Sequence, residues 1–201
     1  MIALLLLPIA YLLGAIPFGY LLVKWKTGGD VRSSGSGNIG ATNVLRTTGR
    51  AAGFATLLLD IAKGYIAVWI AARWTDNDPW WMSLAMLAVM AGHAYPVFLK
   101  FQGGKAVACF VGALVFLAPR AMAAEVVVFI MVVAWTRYIS LGSIVGAATI
   151  PLAVWLIQQA PLPVIVASAI GGVFVIYKHS GNVRRIRAGS EHVFTLGAGK
   201  R

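Results

Sequence analysis

Apolar residues fill long stretches of this chain, and the interruptions between them are few and sharply placed. A helix that crosses the hydrocarbon core of a bilayer needs about 20 apolar residues. The pattern predicts seven such segments, some short, at residues 2–23, 51–72, 80–99, 106–118, 121–136, 141–158 and 161–178. The fourth and fifth meet at Ala118-Pro119-Arg120, a turn too short to hold a domain. No internal repeat, soluble domain or low-complexity linker divides the rest, so the expectation is one all-α, membrane-embedded domain over residues 1–201. The N-terminus is apolar from the outset, without a basic leader or a small-residue cleavage site, and reads as a retained span.

Of the 201 residues, 60% are hydrophobic and 11% charged. A soluble domain carries about 25% charged residues, so the composition is that of an integral membrane protein. The net charge of +11 raises nucleic acid as a partner, but the basic residues flank apolar spans and form no long solvated run, which excludes it. With seven spans, segments 24–50, 100–105, 137–140 and 178–201 share one side. They carry Lys24, Lys26, Arg32, Arg46, Arg50, Lys100, Lys105, Arg137, Lys178, Arg184, Arg185, Arg187, Lys200 and Arg201. The other side holds only Arg73 and Arg120, with Asp76 and Asp78. The positive-inside bias then predicts an N-terminus outside and a C-terminus in the cytoplasm, with Trp80 and Trp81 at the outer interface. Cys109, the single cysteine, excludes an internal disulfide and reads as a small buried residue. The sequence leaves the oligomeric state open and is compatible with a monomer.

Three polar, glycine-rich patches interrupt the apolar pattern, all on the predicted cytoplasmic side. The first is Ser34-Gly35-Ser36-Gly37-Asn38-Ile39-Gly40-Ala41-Thr42-Asn43-Val44. Its glycines let successive N–H groups turn toward one anion. Asn38 and Asn43 add amides, Ser36 and Thr42 add hydroxyls, and Arg46 adds a fork of donors suited to phosphate. A flexible loop with a helix cap accounts for the same residues. In the second patch, Gly103-Gly104-Lys105 is expected to open an apolar helix, whose free N–H groups and lysine favour an anion. Ala106 follows the lysine where a Walker motif needs Ser or Thr, so this is no Walker motif. His93 stands near the inner end of the third span, where a histidine is more often structural than catalytic.

The third patch holds His179 and Asn182, three apart and therefore on one face of a continuing helix. Arg184, Arg185 and Arg187 fit headgroup anchors, Glu191 is expected to be held by a nearby arginine, and His192 reads as exposed. Asp60 and Lys63, three apart within the second span, are expected to pair and brace the site. Ser140 and Ser143 either cap the sixth span or donate to an anion. Phosphotransfer through magnesium needs clustered carboxylates, and the predicted cytoplasmic loops offer only Asp30 and Glu191. The expectation is therefore no metal and no cofactor, with two phosphate-bearing ligands, one of them with its apolar tail in lipid. A small anion transporter is the main rival, but it would gather polar residues near the midplane, whereas here they gather at one face.

These motifs resemble those of the membrane-embedded acyl-phosphate:glycerol-3-phosphate acyltransferases of bacteria, the PlsY type. The first patch with Arg46 is similar to their first motif. Gly92-His93-Ala94-Tyr95-Pro96-Val97-Phe98 with Phe101-Gln102-Gly103-Gly104-Lys105 is similar to the second. His179-Ser180-Gly181-Asn182-Val183-Arg184-Arg185-Ile186 through Gly189-Ser190-Glu191 is similar to the third. Leu59-Asp60 to Lys63-Gly64 and Ser140-Leu141-Gly142-Ser143 fit as well. Two positions depart: Ala106 stands where the family has glycine, and Cys109 where threonine is common.

The resemblance implies acyl transfer from acyl phosphate to the 1-hydroxyl of sn-glycerol 3-phosphate, giving lysophosphatidate and inorganic phosphate, the first committed step of phospholipid synthesis. It implies a bacterial inner-membrane enzyme with its site facing the cytoplasm, formed by loops 24–50, 100–105 and 137–140 and tail 178–201. By the same resemblance, Ser36, Arg46, Lys105, His179 and Asn182 hold glycerol 3-phosphate. Gly37, Asn38, Gly40, Thr42, Gly103, Gly104 and Ser143 cradle the acyl phosphate. Ser36, Lys105, His179 and Asn182 are the catalytic set, and Asp60, Lys63, His93 and Glu191 are structural. The partners are those two substrates and membrane lipid. No histidine has an aspartate five positions on, since Phe98, Arg184 and Gly197 stand there. A phosphate oxygen of the donor is therefore the expected proton acceptor.

Overall fold

The computed structural model describes residues 2–194, with side chains from Leu5 onward. Every regular element among them is helical. The chain falls into two compact units, Met1–Leu117 and Ala118–Arg201, which part at the short turn before Pro119.

The first unit contains α1 (Ile2–Ala15), α2 (Phe18–Thr27), α3 (Ala41–Thr48), α4 (Arg50–Trp74), α5 (Pro79–Ala94) and α6 (Val107–Leu117). Single 3₁₀ turns lie at Val31–Ser33 and Val97–Leu99. The first predicted span is broken at Ile16-Pro17, because proline has no N–H to continue the ladder. It resumes as α2, which Gly28 ends in the left-handed conformation at φ 70°. Asp78 starts α5 by accepting from the N–H groups of Trp80 (2.8 Å) and Trp81 (3.3 Å). Pro79 follows at the first helical position, where its missing N–H costs nothing.

Small residues let these helices approach closely, as lipid-embedded helices require. A Cβ on Gly14 would overlap the Val89 carbonyl, and one on Gly92 that of Tyr11, so α1 and α5 touch backbone to backbone. Gly64 and Gly112 serve α4 and α6 in the same way, against Cys109 and Ile61. Leu6, Ala10, Ala67, Ala71, Ala85 and Val89 form the core between α1, α4 and α5. Cys109 is buried, as expected.

The second unit contains α7 (Pro119–Thr136), α8 (Ile139–Ala153), α9 (Leu162–Lys178) and α10 (Ser180–Arg187). Pro151 interrupts the ladder of α8, and the chain continues as a π turn over Val154–Gln158. α9 packs on α8 where a Cβ on Gly172 would overlap the Ala147 carbonyl.

Each predicted segment is helical, but the lengths differ. Five described helices are long and apolar enough to cross a membrane, counting Leu5–Thr27 as one. A sixth is reached if α9 and α10, bent by 52° at His179, form one span. α6, with 11 residues, is shorter. The remainder of the predicted cytoplasmic tail, including Gly197, Lys200 and Arg201, lies outside the described residues.

Candidate active site

The first motif is folded around Asn43, a side chain only 2% exposed. Its amide nitrogen donates to the carbonyls of Val31 (3.2 Å), Ser34 (3.0 Å) and Asn38 (2.9 Å). Its oxygen accepts from the Ser36 N–H at 2.8 Å. The expectation that Asn43 offers its amide to an anion is corrected: the group is spent shaping the loop. Gly35 and Gly37 take left-handed φ of 61° and 69°, where a side chain would be strained. Asn38 Oδ1 accepts from the Gly40 N–H at 2.8 Å, closing a turn that leads directly into α3. Ser36 and Gly37 are thereby held at an exposed loop tip, and Gly40 and Thr42 at the helix start. Arg46 follows Thr42 by one helical turn and is exposed.

Two charges anchor the approach to this loop. Arg32 pairs with Asp30 at 2.6 Å and stacks over the Tyr20 ring at 5.3 Å. Hydrogen bonds from the Arg32 guanidinium and backbone hold the Asp30 carboxyl below its ordinary value. Val23, Val31, Ile39, Val44, Ala52 and Leu99 bury the underside, tying the first motif to the Val97–Leu99 turn that precedes the second.

The second motif is not a helix start. α6 begins at Val107, so Gly103-Gly104-Lys105 is an irregular segment ahead of it, which corrects the expectation that the glycines open the helix. The segment is clamped onto His93: the Gly104 N–H donates to the His93 carbonyl at 3.0 Å. A Cβ on Gly104 would overlap the imidazole, and one on Gly103 the His93 carbonyl. Gly104 is buried and Lys105 half-buried. Ala106 has φ 61°, in the left-handed region that favours glycine, and is fully buried. The departure from the resembling family therefore falls where a Cβ costs about 1–2 kcal/mol.

Beneath these motifs lies a buried charged group. Lys63 Nζ is 2.9 Å from Asp60 Oδ1, the pairing expected from their spacing. His93 Nδ1 lies 3.7 Å from the same carboxylate oxygen. Lys63 also donates to the carbonyls of Gly14 (2.8 Å) and Ile16 (2.9 Å), which the break at Pro17 leaves without helical partners. Donor atoms of Asp60, His93 and Cys109 all lie within 4.8 Å of one another. That would suit a metal by type, but the Lys63 ammonium already balances the carboxylate.

In the second unit, Glu191 plays the organising part. Its Oε1 accepts from Asn182 (2.6 Å) and Ser140 (2.8 Å), and its Oε2 from Arg185 (2.8 Å). The expected arginine is thus Arg185. Burial opposes the charge, but the hydrogen bonds from Asn182, Ser140 and Arg185 outweigh it and hold the carboxyl below the usual glutamate value. Ser140 is therefore neither cap nor anion ligand, and Ser143 donates to the Ile139 carbonyl at 3.0 Å. The Phe194 N–H donates to the Arg137 carbonyl at 2.7 Å, tying the end of the described chain to the α7–α8 junction.

His179 sits at the bend between α9 and α10 and is 3% exposed, so the helix does not continue straight through the third motif as expected. Its Nδ1 meets the Val175 carbonyl at 2.8 Å. A carbonyl only accepts, so Nδ1 is the donor in this contact. The Asn182 N–H donates to the His179 carbonyl at 2.8 Å, which keeps the two residues together across the bend. His192 is exposed, as read.

Sequence reasoning missed Glu125, a buried acid on α7 that accepts from Thr149 Oγ1 at 2.8 Å. A single acid within an apolar run was the available signal.

A family model described as glycerol-3-phosphate acyltransferase matches residues 4–189. A glycerol-3-phosphate acyltransferase of Geobacter sulfurreducens is 47% identical, over 95% of this chain and 97% of its own. One of Geotalea daltonii is 46% identical, over 92% and 94%. Among solved structures, a crystal structure of PlsY (YgiH), an integral membrane glycerol 3-phosphate acyltransferase, in its glycerol 3-phosphate form superposes with a TM-score of 0.92. It is 38% identical and covers 97% of this chain and 96% of that one. The lysophosphatidic acid form gives 0.89 at 36% identity.

Proposed function

The chain belongs to the glycerol-3-phosphate acyltransferase family, and on that premise we propose that it acylates the 1-hydroxyl of sn-glycerol 3-phosphate from acyl phosphate. The products are lysophosphatidate and inorganic phosphate, in the committed step of phospholipid synthesis. The observation that carries the reading is a match running through all three motifs, with relatives covered almost end to end.

Ser36, Arg46, Lys105, His179 and Asn182 bind glycerol 3-phosphate. Gly37, Asn38, Gly40, Thr42, Gly103, Gly104 and Ser143 receive the acyl phosphate. The hydroxyl oxygen bonds to the acyl carbon, and the bond from that carbon to the phosphate oxygen breaks. The hydroxyl proton passes to a phosphate oxygen, so hydrogen phosphate leaves. Lys105, Ser36, His179 and Asn182 contribute by alignment and by donors aimed at developing negative charge. The shaped loop around Asn43 supports this reading, because it fixes backbone geometry without using the exposed Ser36 side chain.

The protein is a multi-pass membrane enzyme. Its seven spans leave the N-terminus outside and the C-terminus in the cytoplasm, and the site faces the cytoplasm at the bacterial inner membrane. The excess of basic residues on one set of loops supports that orientation.

The test is an assay of the purified protein in detergent, with acyl phosphate, acyl-CoA and acyl carrier protein compared as donors. Lysophosphatidate from acyl phosphate alone is expected, and its absence would overturn the reading. Lys105→Ala and Arg46→Ala are each expected to weaken use of glycerol 3-phosphate by about 2–5 kcal/mol, read as kcat/KM at unchanged thermal stability.

A further inference from the structure

We propose that His93 is a positioning residue for acyl transfer: it is the head of a buried strut, Lys63–Asp60–His93, that sets the two glycine-rich motifs of the first unit in register. The inference rests on the acyltransferase reading above.

One end of the strut meets the second motif. The His93 ring occupies the space a Cβ of Gly104 would fill, and the His93 carbonyl takes the Gly104 N–H at 3.0 Å. Any movement of the ring therefore moves the Gly103-Gly104-Lys105 backbone with it. The ring is 4% exposed, and Asp60 Oδ1 faces its Nδ1 at 3.7 Å.

The other end meets the first motif through the break in the first span. Lys63, 2.9 Å from Asp60, holds the Gly14 and Ile16 carbonyls. Two residues beyond Pro17, Gly19 lies so close to the first motif that a Cβ on it would overlap the Ile39 carbonyl. The break is thus fixed by Lys63 on one side and abuts the phosphate-type loop on the other. A cation, an anion and an imidazole buried together in lipid-embedded helices are costly to maintain. Their place between two loops that must act on the same reactants gives that cost a purpose.

A double-mutant cycle in the full-length protein tests this, with thermal stability measured alongside. His93→Ala is expected to raise KM for both phosphorylated substrates and lower kcat/KM about 100-fold, the scale of an ångström-sized misplacement. Gly104→Ala should be damaging in the native background, where the new methyl meets the ring. It should cost at least about 5-fold less in the His93→Ala background, where that space is vacant. His93→Gln, which also lacks the ring, should relieve Gly104→Ala as well, and stands in if His93→Ala does not fold. Additive losses, or native KM and kcat in His93→Ala, would overturn the strut. Loss of kcat alone at native KM in His93→Ala would make His93 a proton acceptor and overturn it too. If the native protein makes no lysophosphatidate from acyl phosphate, the functional reading fails; if it does and the cycle is additive, only the strut fails.

Discussion

Asn43 in the first unit and Glu191 in the second solve the same problem with opposite chemistry. Each is a buried side chain that gathers donors or acceptors from distant parts of its own unit. Asn43 is neutral and engages backbone groups, one N–H and three carbonyls. Glu191 is charged and engages side chains, Asn182, Ser140 and Arg185. A loop meant to present backbone N–H groups needs its own path fixed, and an amide, both donor and acceptor, suits that. A helix meant to present Asn182 needs that side chain oriented, and a carboxylate can take several donors at once. The neutral device should therefore be indifferent to pH and the charged one should not.

The sharpest break of that comparison is Asn43→Ala, which removes the bond from the Ser36 N–H and those that the two amide protons share among three carbonyls, each full bond worth about 1 kcal/mol. A destabilisation of about 3 kcal/mol and near-complete loss of turnover are expected. Asn43→Asp should not rescue, because a carboxylate cannot donate to the three carbonyls. A native-like melting temperature for Asn43→Ala would mean that the loop holds itself.

Next is Glu191→Gln, expected to cost about 2 kcal/mol. Hydrogen bonds to a charged group are worth about 1.5–3 kcal/mol, but Arg185 is 37% exposed and its share is screened. The pH dependence follows from the lowered pKa of Glu191. Its contribution is complete above the ordinary glutamate value of about 4.3. It is lost as pH falls from there through the lower folded-state value. Melting curves should lose stability in that acid window for the native protein and less steeply for Glu191→Gln. Equal slopes would contradict the contrast between the two devices.

The smallest effect concerns the second motif. Ala106→Gly should stabilise the protein by about 1 kcal/mol, because the residue sits at φ 61°. A loss of stability on the same scale would show that its buried methyl contributes more by packing than its conformation costs.

Much of this was legible in the residues. Apolar length located the membrane helices but not the short polar α3 and α10, the three-residue spacing of Asp60 and Lys63 announced their pair, and the scarcity of acids pointed Glu191 to an arginine. What was hidden was tertiary. Asn43 looked like a ligand because composition cannot reveal that three carbonyls converge on it. Gly103 and Gly104 were read as opening α6 because glycines before an apolar run resemble a helix start, whereas they precede it and let the backbone press against His93. The bend at His179 was signalled only by the Ser180-Gly181 pair beside it, which was read as part of a continuing helix. Glu125 was overlooked in an apolar run whose length alone had settled its reading.

The central claim is that polar groups of the protein, with no metal ion, bring two phosphorylated reactants together. The direct measurement is product formation by the purified protein in detergent with acyl phosphate and glycerol 3-phosphate, in excess EDTA. The account predicts undiminished turnover, with lysophosphatidate and inorganic phosphate released one for one. Turnover that collapses in EDTA and returns with magnesium would contradict it.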